Sequence, residues 1–155
     1  MKEYLLCNPQ VFVTFIIGVF TLFITWWFNR NNLKITNQKM EKELFKEFNE
    51  RYDKLNDDLS KLDTVGNLSQ LKEIKSNSDV NKTMYNVLMD YFNLCSEQYY
   101  WYKRNRISQE IWDSWYSGMM FYYNSFPIVK EVWLNEIRDG GYKSYYLKEK
   151  DELFK

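Results

Sequence analysis

Apolar positions are distributed very unevenly along this chain. Residues 11–28 (VFVTFIIGVFTLFITWWF) form a run of 18 without a single charge. As a helix rising about 1.5 Å per residue, the run spans roughly 27 Å, close to the thickness of a bilayer's hydrocarbon core. Asn8 and Pro9 precede it as an N-cap and a first-turn proline. Tyr4 stands before the run and Trp26 and Trp27 at its far end, where amphipathic rings favour the headgroup zone. A cleaved signal peptide fits less well, because Lys2 is offset by Glu3 and no small-residue cleavage site follows. The pattern predicts one transmembrane helix over 11–28 after a short extracytoplasmic N-terminus, 1–10.

Beyond the run the pattern becomes amphipathic. Over 33–62 the apolar positions Leu33, Met40, Leu44, Phe48, Tyr52, Leu55, Leu59 and Leu62 recur at spacings of 3, 4 and 7, one face of a helix. Few helix breakers intervene, so the spanning helix is expected to continue as a stalk over 29–62. Its apolar face could be a parallel coiled-coil seam or could pack on the same chain. The second is preferred, since only about four heptads are available and Tyr52 suits a tight seam poorly. Residues 63–79 read as a mobile linker, with a turn at Gly66-Asn67 and a short helix marked by Leu68, Leu71 and Ile74.

Residues 80–141 read as a helical-hairpin bundle. The cluster from Ser76 to Asp79 offers an N-cap for a long helix that carries Met84, Val87, Leu88, Tyr91, Leu94, Cys95, Tyr99 and Tyr102. That helix ends at Lys103, Arg104 and Arg106, cations that complement its dipole. Ser108 opens the return helix, with Ile107 and Trp112 spaced as a hydrophobic staple. Pro127 opens another, with a face of Ile128, Val132, Trp133 and Ile137, and Gly140-Gly141 is expected to stop it. The tail, 142–155, docks by its tyrosines or forms a last short helix. No alternating β pattern longer than a few residues occurs. The fold class expected is all-α: a single transmembrane helix, a stalk, and a cytoplasmic bundle of about four helices.

Charge sets the orientation. Only Lys2 and the α-amino group precede the span, whereas Arg30, Lys34, Lys39 and Lys42 follow it. The positive-inside rule then places the N-terminus outside and the larger body in the cytoplasm, anchored in the inner (cytoplasmic) membrane. The chain of 155 residues carries 21 Lys and Arg against 21 Asp and Glu, and Lys2 and Glu3 cancel, so the body is neutral as well. Neutrality argues against nucleic acid as a partner, because phosphate binding by counterion release needs a cationic excess. The absence of His excludes a Ser-His-Asp triad, a Cys-His pair and ordinary zinc sites. Two Cys are too few for a disulfide framework. No cofactor is implied.

Two sets of residues carry candidate chemistry. Thr14, Gly18, Thr21 and Thr25 fall on one helical face, where small side chains let a second copy approach; alternatively the hydroxyls simply bond the preceding turn. In the hairpin, Asn93 and Glu97 share a face four residues apart. Glu97 can be read as a general base, or as a lock that pairs with Arg104 or Arg106 or accepts from the indole of Trp112 or Trp115. The lock is preferred, because a lone carboxylate without a second acid or a nucleophile makes no recognisable active site. Cys95 reads as a small buried hydrophobe. Cys7 would suit palmitoylation only on the cytoplasmic side, which the charge rule opposes. The three cations near the hairpin turn read as a solvated cap that could otherwise grip a phosphate or lipid headgroup.

The stretch YFNLCSEQYYWYKRNRISQEIWDSWYSGM, residues 91–119, resembles the central signature of a family of small bacterial and phage proteins of unknown function. The resemblance is carried by Tyr91, Phe92, Asn93, Leu94 and Cys95, then Glu97 and Tyr99, then Arg106, Ile107, Ile111, Trp112 and Trp115. It implies an N-terminal spanning helix and a helical body, and it brings no activity. The function expected is a non-enzymatic, membrane-anchored interaction or regulatory protein whose partners are the lipid bilayer and a protein, a second copy of itself as a homo-oligomer being one candidate. A small membrane-perturbing protein oligomerising through its spanning helix is the alternative, and an enzyme using Glu97 is the third reading.

Overall fold

The structure, a computed structural model, describes residues 9–155. Tyr4, Cys7 and the proposed cap Asn8 lie outside the described residues, as does most of the expected extracytoplasmic N-terminus. Among the described residues the regular structure is helical, and strand-like pairing is confined to an isolated antiparallel bridge between Lys75 and Thr83. The chain divides into two compact units, with the boundary between Met40 and Glu41.

Helix α1, Pro9–Leu59, runs 51 residues without a break, as the lack of Gly-Pro punctuation after Gly18 predicts. Its first unit contains the apolar run, and every residue from Pro9 to Arg30 is exposed. An 18-residue window there is long and apolar enough to cross a membrane, with none of it buried. The Arg30 guanidinium lies 5.4 Å from the Trp26 ring, at the polar end of the run. Leu33 is 65% exposed, so the apolar face expected over 33–62 does not begin there.

In the second unit the face of α1 is covered by the same chain, as preferred from the sequence. Phe48 and Leu59 are fully buried, and Leu44, Tyr52 and Leu55 pack half-buried on the core. After a 3₁₀ turn at Leu62–Thr64 comes the short helix α2, Leu68–Glu73, capped by the Asn67 side chain, which accepts from the Gln70 N–H at 3.0 Å. Leu71 of α2 is fully buried.

The end of segment 63–79 is tied to α1. Asp58, fully buried near the end of α1, accepts hydrogen bonds from the hydroxyls of Ser76 (2.5 Å) and Ser78 (2.7 Å) and from the Asn77 N–H (2.7 Å). Burial pushes its carboxyl up, but these hydrogen bonds outweigh that effect and hold it below the usual carboxylate range. The serine cluster therefore does not cap the next helix. That helix, α3, spans Met84–Lys103 and is preceded by Thr83, whose N–H donates to the Asn86 side chain at 3.0 Å.

The turn after α3 is a Schellman closure: the Asn105 N–H reaches the Tyr102 carbonyl and the Arg106 N–H the Trp101 carbonyl, with Asn105 at φ 55°. Helix α4, Gln109–Ser125, follows Ser108 as expected, and the Ser108 N–H donates to Glu41 of α1 at 2.6 Å. Helix α5, Pro127–Glu136, begins on its proline and buries Ile128, Val132 and Trp133, with Ile137 just beyond.

Helix α5 ends before Gly140-Gly141, and the pair lies inside a kinked 3₁₀ segment, Arg138–Tyr145. Gly140 adopts φ 94°, and a Cβ on Gly141 would sit 1.9 Å from the Glu136 carbonyl oxygen. The glycines thus serve the kink after the helix rather than the helix stop. The tail closes the core through Tyr145, which packs on Trp133, and through Leu147, Leu153 and Phe154, while Tyr146 stays 60% exposed. Phe154 stacks on Tyr123 (4.6 Å between centroids) and meets Trp133 edge-on at 5.0 Å.

Candidate functional site

The aromatic signature centres on α3, whose two polar-edged flanks border two hollows in the second unit. On one flank, Asn93 and Glu97 stand one turn apart beside a groove of about 640 Å³. Glu97 forms a two-point ion pair with Arg51 of α1, its oxygens 2.6 and 3.0 Å from the guanidinium nitrogens. This pair replaces the expected partners Arg104, Arg106, Trp112 and Trp115. The hydrogen bond to Glu97 raises the Arg51 pKa, and Phe48 lies under the guanidinium at 5.7 Å. Nearby, Lys82 donates to Asp90 at 2.5 Å. Lys54 and Asp79 complete a wall of both signs, so the groove carries no strong field of one sign. Asn93 is exposed at its edge.

In the basic cluster Lys103 and Arg104 are exposed at the helix end, and each also contacts the protein. Lys103 makes an ion pair with Glu152 of the tail, and the Tyr99 hydroxyl reaches the same carboxylate at 3.3 Å. Burial pushes Glu152 up, yet its bond from Lys103 and the Lys148 N–H win, holding it down at about 2. The Arg104 guanidinium lies 4.3 Å from the Tyr100 ring, a cation–π contact. Arg106 contributes its backbone to the Schellman turn.

The two tryptophans occupy different surroundings. Trp112 is buried in a stack, 4.7 Å from Tyr102 with planes 10° apart and 5.5 Å from Tyr116. Trp115 faces α1, stacked on Phe45 at 5.9 Å and edge-on to Phe48 at 5.7 Å, and its indole N–H donates to the Asn49 side-chain oxygen at 3.2 Å.

Trp115 also walls the second hollow, of about 320 Å³, which lies among α1, α3 and α4. Phe45, Tyr52 and Tyr91 supply further aromatic surface, Gln98 a buried amide, and Gly118 an open edge. Cys95 borders it as a buried hydrophobe, and burial pushes its thiol up to about 12. Sequence reasoning missed Asn49, Gln98 and Gly118. The available signal was Gln98 itself, a polar residue at helical spacing from Tyr91 and Cys95 on an otherwise apolar stripe.

In the first unit, Thr14, Gly18, Thr21 and Thr25 are exposed along α1. The Thr14 and Thr21 hydroxyls donate to the carbonyls of Gln10 (2.9 Å) and Ile17 (2.8 Å), and a Cβ at Gly18 would meet nothing within 4 Å. Among the described residues no group of three or more His, Cys, Asp or Glu is placed to hold a metal ion. No protein-family model, curated protein or solved structure matches the chain, so the family resemblance rests on the motif alone.

Proposed function

We propose that the protein is a membrane-anchored, non-enzymatic interaction module. Residues 11–28 cross the inner membrane once with the N-terminus outside, and residues 29–155 form a cytoplasmic regulatory or scaffolding body. The observation that carries this reading is the stretch from Pro9 to Arg30, which is wholly exposed although it holds an apolar 18-residue window and no charge before Arg30. Uncovered apolar surface of that extent is unstable in water and stable in lipid. The second unit supports it from the other side, because it has its own core and needs no cover from the run. Tethering also confines the body to two dimensions, raising its effective concentration toward membrane partners.

The test is carbonate extraction of vesicles holding the full chain, followed by protease treatment of intact spheroplasts. Retention in the pellet with the body protected supports the reading; release by carbonate, or digestion of the body from outside, overturns it. A pull-down from native membranes with the span retained then identifies the partner.

A second reading has its own support. Thr14 and Thr21 satisfy their hydroxyls within α1, and Gly18 leaves an open notch beside them where a second copy can approach closely. In that reading the spans oligomerise and perturb the membrane. It requires that residues 1–40 alone depolarise cells and that Gly18→Ile abolish the effect. An enzymatic role for Glu97 has the least support, since its carboxylate is neutralised by Arg51.

A further inference from the structure

The hollow among α1, α3 and α4 has a wall composition that selects a type of occupant. Its volume of about 320 Å³ lies at the small end of the range for ligand pockets, room for one ring or two fused rings. No Asp, Glu, Lys or Arg lines it. A charged occupant would lose its hydration there without gaining a counter-charge. Trp115 is held rigid by its bond to Asn49 and its stack on Phe45, so a flat aromatic wall exists before anything binds.

Gln98 makes the hollow more than an apolar dent. The residue is 5% exposed and lines the hollow, and among the described residues no hydrogen bond engages its side-chain amide. Other buried polar side chains here are bonded: Asp58, Ser76 and Ser96 all have partners. With no fully buried side-chain N or O left without a partner, the Gln98 amide keeps access to the hollow and offers it a donor and an acceptor side by side. An acyl chain would leave both unmet, whereas the edge of a nucleobase or a ring carboxamide meets both.

We propose that this hollow is a binding site for a neutral, planar heteroaromatic molecule whose edge pairs with the Gln98 amide while its face lies on Trp115. Gly118 is the entrance: a Cβ there would meet nothing within 4 Å. The burial that raises the Tyr52, Tyr91 and Cys95 pKa values keeps these groups protonated, so the walls stay uncharged across physiological pH. The site is independent of the membrane reading, since all its residues belong to the second unit.

The experiment titrates the full chain, in detergent micelles, with adenine and nicotinamide, using indole as a ring without the amide-like edge and benzoate as a charged control. Calorimetry is expected to show one saturable site for adenine or nicotinamide and none for benzoate. Gln98→Leu is expected to weaken that binding by about tenfold or more while leaving indole binding intact. Gly118→Leu is expected to abolish both without lowering the unfolding midpoint. Absence of saturable binding by adenine and nicotinamide alike overturns the proposal, as does unchanged affinity in Gln98→Leu.

Discussion

The Arg51 guanidinium and the Glu97 carboxylate, 46 positions apart in sequence, meet in a two-point ion pair that joins α1 to the aromatic helix α3. Both side chains are about a third exposed, so solvent and salt weaken the attraction. A double-mutant cycle with Arg51→Ala and Glu97→Gln is expected to give a coupling energy of about 1 kcal/mol, falling in high salt. Denaturant unfolding of the full chain in micelles, followed by near-UV circular dichroism, checks it. No coupling would mean that the pair is not formed in solution.

Asp58 is a more demanding case, because its carboxylate is fully buried and three residues of the following segment depend on it. Asp58→Asn should destabilise the body by about 2–4 kcal/mol at neutral pH, since the Asn amide cannot accept the same set of bonds. The folded-state pKa is lowered, so the stabilisation is present above the ordinary carboxylate range and is lost as pH falls through the folded value. The difference between wild type and variant should therefore shrink below about pH 4.

Glu152 anchors the tail by the same principle at a different place. Held at about 2 in the folded state, it contributes fully above about pH 4.5 and loses its effect on the way down to pH 2. Glu152→Gln should cost about 2 kcal/mol at pH 7 and close to nothing at pH 2. Proteolysis of the C-terminal residues offers an independent measure, because a released tail uncovers Phe154 and Leu153.

Adjacent glycines after α5 should respond very differently to alanine. Gly140 has φ 94° but open space around its missing Cβ, so Gly140→Ala should cost about 1–2 kcal/mol. At Gly141 the new Cβ would lie 1.9 Å from the Glu136 carbonyl oxygen, which forces the backbone to move. Thermal unfolding should show Gly141→Ala to be the more damaging, with equal midpoints arguing against the kink as described.

Local rules carried the reading a long way where neighbours in sequence set the outcome. The long α1, the helix starts at Ser108 and Pro127, and the buried faces of α3 and α5 follow from periodicity and capping. Local rules failed where a better partner lay elsewhere. The Ser76 and Ser78 hydroxyls resemble caps, but Asp58 supplies a charged acceptor that a helix N-terminus cannot match. Gly140-Gly141 resembles a helix stop, but the chain already turns at Ile137, and the glycines serve a kink whose geometry depends on Glu136.

The pattern of the amino acids by itself determined the helical class, the exposed apolar run and the stripes that become buried, because each depends on residues within a few turns of one another. Tertiary structure alone decided that Glu97 faces Arg51, that Lys103 grips the tail, and that Gln98 lines a hollow beside Trp115. Those outcomes depend on which helix faces lie against each other, and a side chain's charge or hydrogen bond is settled by the nearest group in space, which is often dozens of residues away along the chain.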